Sequence, residues 1–386
     1  TNTITVNTEN SSRAFDTGFM VFNHATYPNL IKLFETLNVP IVKTDMSFSV
    51  SHRALNLEWN GAGFTKLFAQ PQNIISPRFW QFLLMLNRFN KQATQMGQSS
   101  ETSYLTVKEF VAKHQYSQDL LDLYLTPMTG AIWSLPPDEV ELFPIETIVR
   151  FFYNHGFLGL DTHHQWYTVS GGAGEYVKRI LKTANIQIEL NRPVQKITRG
   201  NAEQTLIFSD GSNTNAFDMV IVATHADEAL ALLENPSDVE QKHLSAFPYQ
   251  YNHTVIHSDE SVMPKTKSAW AAWNVRIDKQ PDGSLSNSTH YWMNRLQHLP
   301  KSPFMAVSLN AGTQIAPDKI HREIEYHHPR FTLESLKAQE TIQSINTQNA
   351  QTVFFCGSYF KYGFHEDAYT SALQLVEILK PKLGAL

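Results

Sequence analysis

The stretch from Val353 to Leu379 constrains the fold more than any other part of the chain. Val353-Phe354-Phe355-Cys356 is an unbroken apolar run ending on Gly357, the pattern of a strand buried on both faces, since a half-exposed strand would alternate. After the loop Gly363-Phe364-His365-Glu366-Asp367, residues Ala368, Ala372, Leu373, Val376 and Leu379 recur at helical spacing. This predicts a helix from about Ala368, with Asp367 as N-cap and an apolar face seated on a sheet. Strand, glycine turn and amphipathic helix in that order form a unit of an α/β fold. A helix start fixed in this way aims free N–H groups and partial positive charge forward, which suits a phosphate or an electron-rich ring. An ordinary capped helix packed on a strand carries the same pattern.

The rest of the chain alternates between two kinds of segment. Thr3 to Val6 reads as a strand, and Leu30, Leu33, Phe34 and Leu37 place a helix over 27–37. From about Asp45 to Trp166 the sequence becomes aromatic-rich and helical, over 79–89 and 107–125, broken by Pro127, Pro136, Pro137 and Pro144. Gly171-Gly172-Ala173-Gly174 then leads into a helix ending near Lys182, followed by predicted strands at 186–190, 194–198 and 206–208 and a turn at Asp210-Gly211. Met219 to Ala223 reads as a second strand buried on both faces. Residues 236–344 add aromatic strands bearing Trp270, Trp273, Tyr291 and Trp292. With 386 residues, the chain exceeds the roughly 250 to 300 at which one core stops growing. Two discontinuous domains are predicted, 1–44 with 167–235 and 345–386, and 45–166 with 236–344.

Composition removes several classes of function. The net charge of −5 and the absence of basic runs longer than a pair leave no footprint for nucleic acid. The single cysteine, Cys356, excludes internal disulfides and a cysteine-based zinc site, and points to the cytoplasm. No metal is predicted, because in His163-His164 and His327-His328 adjacent side chains point in different directions. No apolar run approaches the roughly 18 to 20 residues of a membrane span, which leaves peripheral membrane contact open. The oligomeric state is not specified.

Two glycine blocks add chemistry. Asp16-Thr17-Gly18-Phe19-Met20 follows the first strand, and its glycine allows close backbone approach to a ligand, though a simple turn would also use one. Gly171 to Gly174 suits a phosphate loop, but lacks the Lys-Ser/Thr of a P-loop, and a plain helix start remains open.

Taken in order, four blocks resemble the flavin-containing amine oxidase superfamily. They are Asp16-Thr17-Gly18-Phe19 with Tyr27-Pro28-Asn29, Trp166-Tyr167-Thr168-Val169-Ser170-Gly171-Gly172, Val222-Ala223-Thr224-His225-Ala226-Asp227, and Gly363-Phe364-His365-Glu366-Asp367. They look most like a bacterial subgroup of FAD/NAD(P)-binding, amine oxidase-like oxidoreductases, related to monoamine oxidase, protoporphyrinogen oxidase and phytoene desaturase. The resemblance covers essentially the whole chain. It implies an α/β fold in which a Rossmann-like FAD-binding domain accompanies a discontinuous α+β substrate domain. Residues 1–44, 167–235 and 345–386 would form the FAD-binding domain.

Carried over block by block, Thr17, Gly18, Phe19 and Met20 would line the isoalloxazine, with Gly171 and Gly172 beside it. Val194 would present its backbone to the adenine, Ala223 and Thr224 would lie near the dinucleotide, and Gly357 would approach the pyrophosphate. Phe364, His365, Glu366, Asp367, Ala368 and Ser371 would close over the pyrimidine end. Trp133 and Trp166 are candidate walls of a substrate cavity; no catalytic acid or base stands out. The family's G-x-G-x-x-G turn occurs nowhere in the chain and should precede Thr1. The chain beginning at Thr1 is therefore expected to bind FAD weakly or not at all and to be inactive alone, which a stoichiometric yellow flavoprotein would refute. The implied reaction is hydride removal from a substrate C–H to flavin N5, with a lipophilic chain undergoing desaturation as the substrate. Amine oxidation is the alternative, and a non-catalytic flavin-binding scaffold is the alternative of another class.

Overall fold

Alternation at the start of the chain forms a hairpin, Thr3–Thr8 pairing antiparallel with Ser11–Asp16. The computed structural model describes all residues except 9–10, 160–161, 201–203, 349–350 and 384–386. The chain forms two units. The first comprises Thr1–Tyr27, Phe34–Ile180 and Tyr251–His328, and the second Pro28–Leu33, Leu181–Gln250 and Pro329–Leu386. Both are discontinuous. Residues 1–27 and 167–180 fall in the first unit, where Trp166–Val169 pairs with Phe22–Asn23 and Ile41–Thr44 and Asp16 is bonded both to Ala173 and to Gln297.

The first unit is organised by a seven-stranded sheet. Its order is Ile320–Pro329, Tyr249–His257, Ala306–Leu309, Leu285–Trp292, Trp273–Lys279, Phe48–His52 and Leu57–Asn60. Strand register separates two faces. Val50, Val275, Ile277 and Val307 lie on an apolar face, where the Tyr291 hydroxyl donates to the Ala131 carbonyl at 3.1 Å. The opposite face is polar and yet buried, with Ser49 bonded to Asn274 and Ser51 to Glu58.

That polar face carries a hydrogen-bond chain whose direction is fixed at its start. The Asp259 N–H donates to His257 Nδ1 at 3.0 Å, so His257 Nε2 bears the proton and donates to Ser308 Oγ at 2.7 Å. Ser308 is left to donate to His290 Nδ1 at 2.7 Å, and His290 Nε2 to donate to Ser288 Oγ at 3.0 Å. Ser288 donates to Gln314 at 3.1 Å, and Gln314 to the Asp278 carboxylate at 3.3 Å. Burying these groups is tolerable because each has a partner.

The helical region of the first unit differs from expectation in two places. The predicted helix 107–125 is interrupted: Val107–Lys113 ends before Gln115, which adopts φ 53°, and helical structure resumes at Gln118–Leu120 and in a π-helical turn, Leu121–Leu125. The strands Phe48–His52 and Leu57–Asn60 also fall within the stretch read as helical. The Pro77–Gln98 helix follows the standard signals, with Ser76 accepting the Phe79 N–H as N-cap and Pro77 in the first turn.

In the second unit, Val220–Val222 pairs in parallel with Val353–Phe355. Val353, Phe354 and Phe355 are fully buried, as predicted, but Ile221 is 51% exposed, so the first strand is not covered on both faces. A separate antiparallel sheet joins Val194–Arg199, Gln204–Phe208 and Asn213–Phe217. Residues 186–190 form no strand; Ile186, Ile188 and Leu190 are exposed, with no ladder partner among the described residues. The last helix spans His365–Leu383 and packs Leu375 and Leu379 with Phe354 and Cys356. It starts three residues before Ala368, and Asp367 is not its N-cap. From inside the first turn, the Asp367 carboxylate reaches back to accept the Phe364 N–H at 3.0 Å and the Tyr362 N–H at 3.1 Å. It thereby satisfies donors at the helix start without preceding them.

Candidate functional site

Within the first unit, the two glycine blocks meet at Asp16. Both of its carboxylate oxygens accept the Ala173 N–H at 2.9 Å, Thr3 Oγ1 donates to it at 2.5 Å and Gln297 Nε2 at 2.7 Å. Gln297 completes a bracket by accepting the Asp16 N–H at 2.8 Å, and its amide reaches Thr168 at 2.9 Å. Thr3 also accepts the Gly174 N–H at 2.7 Å. Burial raises the Asp16 pKa, and its three side-chain and backbone donors oppose the rise. Thr3, Asp16 and Gln297 are the positioning residues that sequence reading did not single out. Asp16 stood inside the quoted block; Gln297, remote in sequence, carried no signal.

The expected flavin-side residues arrive by this route. Thr17 is buried and shares a 2.6 Å hydrogen bond with the Tyr326 hydroxyl. Gly18 is exposed, and a Cβ there would meet nothing within 4 Å, so nothing in the chain itself demands glycine. Gly172 differs: its φ is +90°, and a Cβ would lie 2.5 Å from Thr3 Cγ2. Gly171, with φ +85°, borders an open recess of about 700 Å³ that Arg13, Lys43, Gln297 and His298 also line. Met20 is buried. Phe19 stacks on Phe22 at 6.1 Å and meets Tyr27 at 6.4 Å.

An aromatic column continues from there. Tyr27 meets His155 edge-on at 6.3 Å, and His155 stacks on Trp166 at 5.9 Å and on Phe151 at 3.8 Å. Phe151 meets Trp133 at 5.0 Å. Trp133 and Trp166 are thus both buried members of one packed series that begins at Phe19.

Within the second unit, the parallel pair brings two further blocks to one edge. Ala223 and Thr224 leave the carboxyl end of Val220–Val222, and Cys356 and Gly357 leave that of Val353–Phe355. Crevices at the carboxyl ends of parallel strands are where open α/β sheets bind ligands. Ser371 Oγ accepts the Gly357 N–H at 2.9 Å and donates to the Ala368 carbonyl at 2.7 Å, tying the turn to the last helix. A Cβ on Gly357 would lie 2.5 Å from the Tyr359 ring, whose buried hydroxyl has no hydrogen-bond partner among the described residues.

Phe364 and His365 are half-buried at the helix start. The Glu366 carboxylate accepts the N–H groups of Asn29 and Leu30 at 3.0 and 2.9 Å, capping the first turn of the Pro28–Thr36 helix. Burial drives the Asp367 pKa up to about 6 despite the two N–H donors. Val194 lies apart from these residues in the antiparallel sheet, paired with Phe208.

The described residues contain no cluster of three or more histidine, cysteine, aspartate or glutamate side chains that could hold a metal ion. No helix among them is long and apolar enough to cross a membrane.

A model of the family described as flavin containing amine oxidoreductase matches residues 3–262. The chain belongs to that family. This flavin amine oxidoreductase is accordingly an FAD-dependent oxidoreductase. No curated relative matches it in sequence.

Solved structures share the fold at low identity. A fatty acid isomerase from P. acnes that produces CLA superposes with TM-score 0.65 and 13% identity, over 97% of this chain and 88% of that one. Cyclohexylamine oxidase from Brevibacterium oxydans IH-35A gives 0.61 and 14%, over 98% and 91%. Putrescine oxidase bound to putrescine gives 0.64 and 10%, over 98% and 90%. Within the second unit, exposed Ala223 and Thr224 and the Gly357 turn lie at the carboxyl ends of the parallel pair, and the buried Tyr359 hydroxyl has no hydrogen-bond partner among the described residues, a setting that fits part of the cofactor.

Proposed function

We propose that the chain oxidises a lipophilic substrate, removing hydride from a substrate C–H bond to the flavin, in desaturation of a long apolar chain. The observation that carries the redox reading is the family match over residues 3–262. FAD when bound supplies the two-electron acceptor at its N5. Thr17 to Met20 with Gly171 and Gly172, and Ala223, Thr224, Gly357, Phe364 to Ala368 and Ser371, would hold it, with Val194 on the adenine side. The protein would mainly orient the substrate, exclude water and stabilise negative charge on the reduced ring.

The lipophilic reading is supported by the apolar and aromatic character around Trp133 and Trp166, which offers contact area without charge. An aromatic series also suits an amine cation, and two of the solved relatives are named for amines, so amine oxidation stands as the second reading. Cys356 as the only thiol supports a reducing, cytoplasmic setting.

Anaerobic titration of the FAD-loaded protein separates these readings. Bleaching of the visible flavin absorption by unsaturated acyl or isoprenoid chains is the expected result. Bleaching by simple amines alone would transfer the assignment to amine oxidation. Stoichiometric FAD that no substrate of either kind reduces would indicate a scaffold.

A further inference from the structure

The segment from Trp59 to Ser100 contains no aspartate or glutamate, whereas it holds Lys66, Arg78, Arg88 and Lys91, in a chain whose net charge is −5. The same segment exposes large apolar side chains: Phe64 at 70%, Ile74 at 54%, Ile75 at 84%, Trp80 at 43% and Leu84 at 65%. They form one patch. Trp80 Nε1 donates to the Ile74 carbonyl at 2.8 Å, and its ring packs at 5.4 Å on Phe68, which meets Phe64 at 5.0 Å. Leu84 follows Trp80 by about one turn of the Pro77–Gln98 helix, and Lys91 lies further along the same face.

Core packing does not account for this face. The helix already buries Phe79, Phe82 and Phe89 on its other side, and the outward side of such a helix should be polar. A contiguous apolar patch on a folded surface marks an interaction site. We propose that this patch docks on an anionic lipid bilayer, with Ile74, Ile75, Leu84 and Phe64 entering the boundary between headgroups and acyl chains.

Charge selects this occupant. Arg78 is held by Asp119 at 2.6 Å and Arg88 donates to the His114 carbonyl, which leaves Lys66 and Lys91 to meet anionic headgroups. Trp80, with its N–H satisfied locally, suits headgroup depth. The contact is in-plane, since no helix among the described residues crosses a membrane. The inference stands independently of the flavin chemistry.

Sedimentation with vesicles tests it, comparing phosphatidylcholine mixed with phosphatidylglycerol against phosphatidylcholine alone. The protein should sediment with the anionic vesicles, and less so as salt rises. A combined I74S, I75S and L84S variant should lower the partition coefficient about tenfold or more, with circular dichroism and thermal midpoint unchanged because the sites are exposed. If that variant fails to fold, I75E alone serves. K66Q with K91Q should lower binding severalfold to anionic vesicles only. The proposal is overturned if the protein ignores anionic vesicles, or if the apolar variants bind as well as the parent. A concentration-dependent dimer dissolved by I75E, without vesicle binding, would overturn it in favour of a second copy of the chain.

Discussion

Asp16 accepts the N–H of Ala173 with both carboxylate oxygens at 2.9 Å, joining the two glycine blocks of the first unit through one buried side chain. Replacing it by alanine leaves the Ala173 N–H and the Gln297 amide without this acceptor. A loss of about 2 to 4 kcal/mol in unfolding free energy is expected. D16N should lie between, because its amide would face the donors of Gln297 and Thr3. Urea unfolding measures both, and D16A within about 0.5 kcal/mol of the parent would show that the bracket is not needed.

Gly18 and Gly172 should respond in opposite ways to alanine. Gly18 offers open space, so G18A should leave the thermal midpoint nearly unchanged and, if backbone there meets the cofactor, reduce bound flavin. G172A forces a side chain into a positive φ and against Thr3, at about 2 to 3 kcal/mol. Flavin content together with differential scanning calorimetry reads the pair. A G18A protein with normal flavin content would remove Gly18 from the cofactor contacts.

How much of this could be read beforehand depended on range. The segment from Val353 to Leu383 was legible because strand, turn and helix are each encoded by neighbours. Its start was misplaced because Asp367 serves the free N–H groups from the third helical position, and an aspartate there looks like a cap. The seven-stranded sheet was largely illegible. Ser49, Asn274, Ser288, His290 and Ser308 are polar and nevertheless buried, because they satisfy one another across neighbouring strands, and no local sequence pattern announces that pairing. Gln297 was invisible for the same reason: its role exists only once folding brings it to Asp16 and Thr168.

Glu366 makes a third prediction. Because its carboxylate accepts the first free N–H groups of the Pro28–Thr36 helix, E366A should cost about 1 to 2 kcal/mol as a lost helix cap. E366Q, which keeps one acceptor oxygen, should recover roughly half. If alanine at 366 lowers flavin binding while leaving stability intact, the residue acts on the cofactor instead of the helix.

Buried histidines and buried carboxyls should respond to acid with opposite signs. His257 is buried and uses its Nδ1 to accept a backbone N–H, and burial depresses its pKa from 6.5 to about 4. The unfolded chain therefore binds a proton first as pH falls from 6.5 toward 4, removing on the order of 3 kcal/mol of stability. His290 is depressed by the same cause and acts in the same direction. Asp367 runs the other way: its folded pKa, raised by burial to about 6 from 3.8, means that its contribution is complete below pH 3.8 and is lost as pH rises through 6. Burial also depresses His365 to about 3, in the same sense as His257, while Asp16 is raised and sides with Asp367; the histidine shifts are the larger, and net stability should fall between pH 7 and pH 5. The thermal midpoint should drop across that range, more steeply in D367N, where the offset is gone, and less steeply in H257Q. A parent midpoint that is flat or rises on acidification would mean that the His257–Ser308–His290 chain accepts protons without opening.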